Sequence, residues 1–343
     1  MRHRANPFRG IGLDHPSLVD VPWPAQDAGP TRAALARCPR AAPTPLGEAP
    51  GLAESAGIAA LHVKDERRRM GLGSFKALGA ANVIARDAAE GRAAGRLYVA
   101  ASAGNHGLSV AAGAAAFGAR ARIHLSATVP EAFAERLRSE GAEVVRSGEV
   151  YAESMEAAGR DAAHEGAVLL SDSSWEGYTA APHVLMEGYT VLMAEAVEAM
   201  APPSHLLLQA GVGGLAAACA ATARAAWGDG PGICVVEPEA APALAASIEA
   251  SAPVEAPGPV SIMGRLDCKA PSLIALKGLA RDADRFVTIT EAEGRAGAEA
   301  AAAAGLASTP SGAAGIAALL AAEGAMGLGP GARALVILSE GPQ

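Results

Sequence analysis

The chain has 343 residues, enough for two domains of ordinary size or for one large core divided by a cleft. Half of it is hydrophobic but only 3% is aromatic, so the core must be built from close-packed small and branched side chains. The formal charge is −8 with no basic cluster beyond Glu66-Arg-Arg-Arg69; this argues against a nucleic-acid partner and leaves that cluster to read most simply as a solvated turn, with service by one of its arginines to the neighbouring loop as the alternative.

From the N-terminus, Met1 to Gly10 carries basic residues with no apolar stretch behind them and does not read as a signal peptide. The longest apolar runs are broken by charge, Gly or Pro before membrane-spanning length, so no membrane partner is expected. The Pro-rich segments Val21 to Pro30 and Pro39 to Pro50 read as extended. Then comes Gly71-Leu-Gly-Ser-Phe-Lys76-Ala-Leu-Gly79, a lysine between a glycine-dense loop and an alanine-rich helix. An ammonium at a helix mouth faces the positive end of the dipole, which predicts a depressed pKa and an amine fit for Schiff-base chemistry. A plain surface lysine is the competing reading.

Further on, short apolar strands alternate with Ala-rich helices. Leu97 to Ala101 leads to a helix over Leu108 to Phe117, and Ala121 to Leu125 to one over Pro130 to Glu140. Glu143 to Arg146 precedes a helix over Ala152 to His164, and Ala167 to Ser171 follows as a strand. The second half repeats the pattern with His205 to Gln209, a helix over Leu215 to Ala226, and Gly232 to Glu237. Ala252 to Pro259 reads as a loop, Glu291 to Ala304 as a helix and Arg333 to Leu338 as the final strand. Such alternation predicts parallel sheets covered on both faces, with ligands at the carboxyl ends of the strands.

Two more glycine loops follow strands and open helices. Ser102-Ala103-Gly104-Asn105-His106 offers consecutive amides suited to a carboxylate or phosphate. In Gly211-Val212-Gly213-Gly214-Leu215 the glycines let the backbone approach a phosphate closely. Each loop is also a common strand-to-helix turn; three such elements in one chain, one bearing a lysine, are more specific. Cys38, Cys219, Cys234 and Cys268 show no metal or pairing pattern and read as reduced thiols of a cytoplasmic protein. The histidines lack metal spacing, and no metal is expected.

The order of these motifs resembles the fold-type II pyridoxal-phosphate enzymes, an α/β fold of the tryptophan synthase β type. Within them it is most similar to the diaminopropionate ammonia-lyases. The resemblance runs through Ala42-Pro-Thr-Pro-Leu46, Val63-Lys-Asp-Glu66, Ser171-Asp-Ser-Ser-Trp-Glu-Gly-Tyr-Thr179, Met186-Glu-Gly-Tyr189, Ile262 to Cys268, Pro310 to Gly315 and Leu338-Ser-Glu-Gly341. It implies two parallel-sheet domains with the active site between them, residues 1–94 and 187–343 forming the large domain and 95–186 the small inserted one. It also implies a pyridoxal 5'-phosphate cofactor, an amino-acid substrate and a homodimer.

By that resemblance Lys76 is the Schiff-base lysine and general base, with Phe75 beside it. Gly211, Val212, Gly213, Gly214 and Leu215 cradle the cofactor phosphate, Asn105 bonds its phenolic oxygen and Ser339 faces its ring nitrogen. A hydroxyl at that nitrogen makes a milder electron sink, which suits β-elimination or β-replacement. Ser102, Ala103, Gly104, Asn105 and His106 receive the substrate carboxylate. Asp172 either caps the next helix or binds a substrate's β-ammonium. Relatives that accept both enantiomers carry an Asp where this chain has Ala103; alanine cannot take a proton, so L-substrates alone are expected. The implied reaction converts L-2,3-diaminopropionate to pyruvate and ammonia. The alternatives are a serine, threonine or hydroxyaspartate dehydratase, a β-replacement enzyme, and a non-catalytic cofactor- or metabolite-binding protein. Cys268, Trp175 and Tyr178 can approach the cleft, although packing explains them as well.

Overall fold

The computed structural model describes residues 1–342. In chain order it contains β1 (Arg2–Ala5), α1 (Gly29–Leu35), β2 (Leu46–Glu48), α2 (Pro50–Ser55), β3 (Ala60–Asp65) and α3 (Lys76–Ala89). Then come β4 (Leu97–Ala101), α4 (Asn105–Ala116), β5 (Arg120–Leu125), α5 (Glu131–Ser139), β6 (Glu143–Arg146), α6 (Tyr151–Glu165) and β7 (Val168–Leu169). After α7 (Ala180–Ala199) follow β8 (His205–Gln209), α8 (Gly214–Trp227), β9 (Gly232–Pro238), α9 (Ala243–Ala250) and α10 (Leu273–Asp282). The chain closes with β10 (Arg285–Ile289), α11 (Glu291–Ala303), α12 (Ala314–Leu320) and β11 (Arg333–Leu338).

The strands form two sheets. One has seven strands in the order β1-β10-β9-β8-β11-β3-β2, the other four in the order β6-β5-β4-β7. Both are parallel except at β1 and β2, which pair antiparallel at the edges of the larger sheet. The inner strands are apolar almost throughout (Leu206 to Leu208, Ile233 to Val236, Ala334 to Leu338) because helices cover them on both faces. The strands that sequence patterning passes over are β1, β2, β3 and β10. Of these, β1 is exposed along its whole length and shows no inward-outward alternation to read.

Helix α3 crosses α7 unusually closely, and glycine makes this possible. A Cβ on Gly188 would lie 2.8 Å from the Cα of Gly79, and one on Gly79 would lie 2.8 Å from Leu185 Cδ2. The close crossing brings the start of α3 against Tyr189, whose ring meets Phe75 edge-on at 4.9 Å between centroids. No described helix is long and apolar enough to cross a membrane.

Candidate active site

The chemistry-bearing residues gather at the carboxyl ends of strands from both sheets, where an open parallel sheet places its ligands. The loop after β3 carries Lys76, the loop after β4 carries Ser102 to Asn105, and the segment after β7 carries Asp172. The turn after β8 is Gly211 to Gly213, and Ser339 follows β11.

Lys76 is the first residue of α3, and its Nζ forms an ion pair with Asp172. The same Nζ stands 5.1 Å from the Phe75 ring centroid and 5.8 Å from that of Tyr189. The expected depression of the Lys76 pKa is corrected here. Burial does disfavour the ammonium, but the adjacent Asp172 carboxylate outweighs it and holds the group above the ordinary lysine range. Conversely, burial pushes Asp172 up while Lys76, and after it His106, pulls it below the ordinary carboxylate range. Asp172 caps no helix: α7 begins only at Ala180, with Thr179 as its cap. The segment around Asp172 is pinned by Ser174, whose Oγ lies 2.7 Å from Ser272 Oγ and accepts from Ile274 N–H at 2.9 Å.

The reading of Glu66 to Arg69 as a solvated turn holds for Arg68, which is exposed, and fails for Glu66 and Arg69. Glu66 and Arg69 are 0% and 1% exposed. The Arg69 guanidinium donates to both Glu66 oxygens at 2.7 Å, to the Glu195 oxygens at 2.9 and 2.8 Å, and to Thr44 Oγ1 and the Ala42 carbonyl at 2.8 Å. Lys64 Nζ joins from the sheet, 2.5 Å from Glu195 Oε2. Four opposite charges thus satisfy one another beneath the loop that leads to Lys76. Spacing could not reveal this, because Glu195 is more than a hundred residues away on α7.

In the turn after β8, Gly213 has φ +100°, open to glycine and strained for other residues. A Cβ on Gly211 would stand 2.9 Å from Cys268 Sγ, and one on Gly213 would stand 2.8 Å from Ala275 Cβ. A Cβ on Gly214 would lie 3.6 Å from the Tyr189 ring and 3.9 Å from the Asp172 carbonyl, so this turn borders the Lys76 pocket. The first-turn amides of α8 have no partner within the helix, which suits this helix start to an anion. Burial, then Asp172, pushes the Cys268 thiol up to about 11, so it is not a thiolate near neutrality.

The loop after β4 faces this floor from the smaller sheet. Gly104 N–H donates to Ser102 Oγ at 3.2 Å, and Ala103 is exposed. Asn105 opens α4 with its Nδ2 donating to Glu340. His106 is buried, and burial lowers its pKa below the ordinary value. Its Nε2 lies 2.8 Å from the Leu170 carbonyl, which places the ring proton there and leaves Nδ1 without a partner among the described residues. Tyr178 is likewise structural, donating to the Leu169 carbonyl at 2.7 Å and stacking on Trp175. Ser339 is buried at the end of β11, and its carbonyl accepts from Phe75 N–H at 3.1 Å.

Four residues near the cleft escape sequence reasoning. Tyr189 has a buried hydroxyl without a hydrogen-bond partner among the described residues. Tyr151, 56% exposed, opens α6, and desolvation on its cleft side, then the field of Asp172, pushes its phenol up. Glu340 and Arg265 lie across the Asn105 loop. The fragments Met186 to Tyr189, Leu338 to Gly341 and Ile262 to Cys268 held three of the four, but nothing in them separates a cleft residue from a packed one. Among the described residues no cluster of three or more His, Cys, Asp or Glu could hold a metal ion.

This geometry has counterparts. The chain is 31% identical over 268 residues to the diaminopropionate ammonia-lyase of Salmonella typhimurium, covering 70% of this chain and 66% of that one. To the Escherichia coli protein of the same name it is 34% identical over 194 residues, covering 51% and 49%. The sequence matches therefore span about half to two thirds of these relatives' length. The solved structure of the Escherichia coli diaminopropionate ammonia-lyase with D-serine superposes with a TM-score of 0.89 at 26% identity, over 99% of this chain and 93% of that one. The family model described as pyridoxal-phosphate dependent enzyme matches residues 38–340, and with the two-sheet fold and its lysine-bearing cleft this places the chain in the family of fold-type II pyridoxal-phosphate dependent enzymes.

Proposed function

We propose that this chain catalyses α,β-elimination of L-2,3-diaminopropionate, releasing pyruvate and two ammonium ions. The observation that carries the reading is the Asp172 carboxylate paired with Lys76 in the cleft, where it can exchange that partner for a substrate ammonium. The residues present fit pyridoxal phosphate: Lys76 supplies an amine, and the side-chain-free turn at Gly211, Gly213 and Gly214 ends in helix amides suited to a phosphate. Leu215 and Val212 flank that turn, Phe75 walls the lysine, and Ser339 would face the ring nitrogen. When bound, the cofactor supplies an electron sink for the Cα–H bonding pair.

The chain's own groups do the rest. The amides from Ser102 through Ala103 and Gly104 to His106 would hold the substrate carboxylate, and Asn105 would bond the cofactor's phenolic oxygen. Asp172 pairs with the β-ammonium, which releases Lys76 from its ion pair and lets Nζ give its proton to solvent. The neutral Nζ then takes the Cα proton as general base, and the β-ammonium, already protonated, departs with the Cβ–N bonding pair as ammonia, which is protonated in solvent. Ala103 offers no base on the opposite face, so D-isomers are not turned over.

We also infer that residues 1–94 and 187–343 act as the large domain and 95–186 as the small one. A homodimer in the cytoplasm, with no nucleic-acid partner, accords with the family resemblance, the free thiols and the charge of −8. Light scattering on the purified protein tests the dimer, which a monomeric mass would refute.

The deciding experiment is a coupled 2-oxo-acid assay offering L- and D-2,3-diaminopropionate, L-serine, L-threonine and threo-3-hydroxyaspartate to holoenzyme. Turnover of L-2,3-diaminopropionate alone supports the reading. Silence on it refutes the substrate, and efficient turnover of the D-isomer refutes the role of Ala103.

A further inference from the structure

Glu340 lies one residue beyond Ser339 and is buried, 3% exposed. Its backbone is fixed to the larger sheet's side of the cleft: its carbonyl accepts from Ser308 Oγ at 2.5 Å, and it bridges Ser74. A Cβ on Gly312 would lie 2.9 Å from Glu340 Cγ, so the side chain's path depends on that glycine. One carboxylate oxygen accepts from Thr309 Oγ1, and the other accepts from Asn105 Nδ2 across the cleft. Arg265 lies alongside, its Nε 3.9 Å from Glu340 Oε2 and its Nη1 donating to the Ala103 carbonyl at 3.2 Å. Two contacts from the larger sheet's side therefore land on neighbouring residues of the same small-sheet loop.

We propose that Glu340 is a positioning residue for Asn105 and that, with Arg265, it latches the Ser102 to His106 loop over the cleft. This rests on the reading that Asn105 faces the cofactor's phenolic oxygen and that the loop receives the substrate carboxylate. The chemistry is directional. A carboxylate accepts only from the amide nitrogen, so Glu340 decides which end of the Asn105 side chain is which. One N–H is bound to Glu340, and the second N–H of Nδ2 is left to donate to the phenolic oxygen. Without the carboxylate the amide is free to flip and present its oxygen, which cannot bond an anionic oxygen. Arg265 acts on the main chain instead, fixing the height of the loop through Ala103.

The test uses the holoenzyme of Glu340→Ala, Glu340→Gln and Arg265→Gln, with two readouts. One is the pH midpoint of the cofactor's visible absorbance without substrate; the other is kcat and KM for L-2,3-diaminopropionate. Glu340→Ala is expected to move the midpoint by about one pH unit and to raise KM about tenfold, more than it lowers kcat. Glu340→Gln, which keeps an acceptor for Asn105, should restore both to within about twofold. Arg265→Gln should raise KM severalfold and leave the midpoint in place. An unchanged midpoint and KM in Glu340→Ala, or a lowered melting temperature alone, would overturn the proposal. If Glu340→Ala does not fold, Glu340→Gln and Arg265→Gln decide: a wild-type KM in Arg265→Gln, or a midpoint in Glu340→Gln displaced like that of a disordered loop, counts against the latch. Should the wild type turn over no amino acid, the substrate reading fails while the absorbance midpoint still judges Glu340.

Discussion

The floor and the cover of the cleft are held in different ways. Below the segment leading to Lys76, Lys64, Glu66 and Arg69 are buried, Glu195 is nearly so, and the four share a dense set of hydrogen bonds with Thr44 and the Ala42 carbonyl. Above it, the Ser102 to His106 loop meets the larger sheet's side through the Asn105–Glu340 and Arg265–Ala103 contacts, with Ala103 and Arg265 open to solvent. A cluster so over-determined holds in place the segment that leads from β3 to Lys76. A cover held by a few polar contacts can yield to a substrate and close on it. The difference assigns the aim of the base to the floor and the fit of the substrate to the cover.

Breaking the comparison at its centre gives the largest effect. Lys76→Ala removes the proposed base, and turnover of L-2,3-diaminopropionate should fall by about 10²–10⁴-fold. Absorbance of the bound cofactor should change with it. A retained rate would place the base elsewhere.

Breaking the floor should instead cost stability. Arg69→Met strands Glu66 without a cation and leaves Glu195 to Lys64 alone, and urea unfolding is expected to register a loss of about 3–5 kcal/mol. Loosening the cover should do the opposite. Ser102→Ala gives up one bond at 3.2 Å, so stability should move by no more than about 1 kcal/mol while KM rises severalfold. Equal stability losses in these two variants would erase the distinction between floor and cover.

A separate effect tests the larger sheet away from the cleft. Glu237, at the end of β9, accepts from the amides of Leu244 and Ala245 at 2.8 Å each. Burial nevertheless pushes its carboxyl up to about 8, from an ordinary 4.5. The folded state then holds this proton more tightly than the unfolded chain, so stability should fall as pH rises from about 4.5 to about 8 and level off above. In Glu237→Gln that part of the slope should vanish from melting temperatures measured across the range. An unchanged slope would mean that the two amides keep the carboxylate charged.

Much of this arrangement could be read in the sequence where the signal was local. The central strands showed as apolar runs, and the helices after them as Ala-rich segments bounded by glycine. The three loops of the cleft each lie within a few residues of a strand end, so Lys76, Gly211 to Leu215 and Ser102 to His106 could be found without coordinates. What failed was local in form but global in cause. The charged cluster Glu66 to Arg69 looks like a solvated turn because its counter-charges lie on β3 and α7. The helix dipole predicts a lowered Lys76 pKa, and a carboxylate from the other sheet reverses it.

The sequence by itself therefore determined the α/β order, the family and the lysine, since periodicity, turn chemistry and motif order are properties of neighbouring residues. Only the tertiary structure decided which charges meet: Asp172 with Lys76, Arg69 with Glu195, Glu340 with Asn105. A charge's effect depends on distance and burial rather than on position along the chain, and those are set when the two sheets face each other across the cleft.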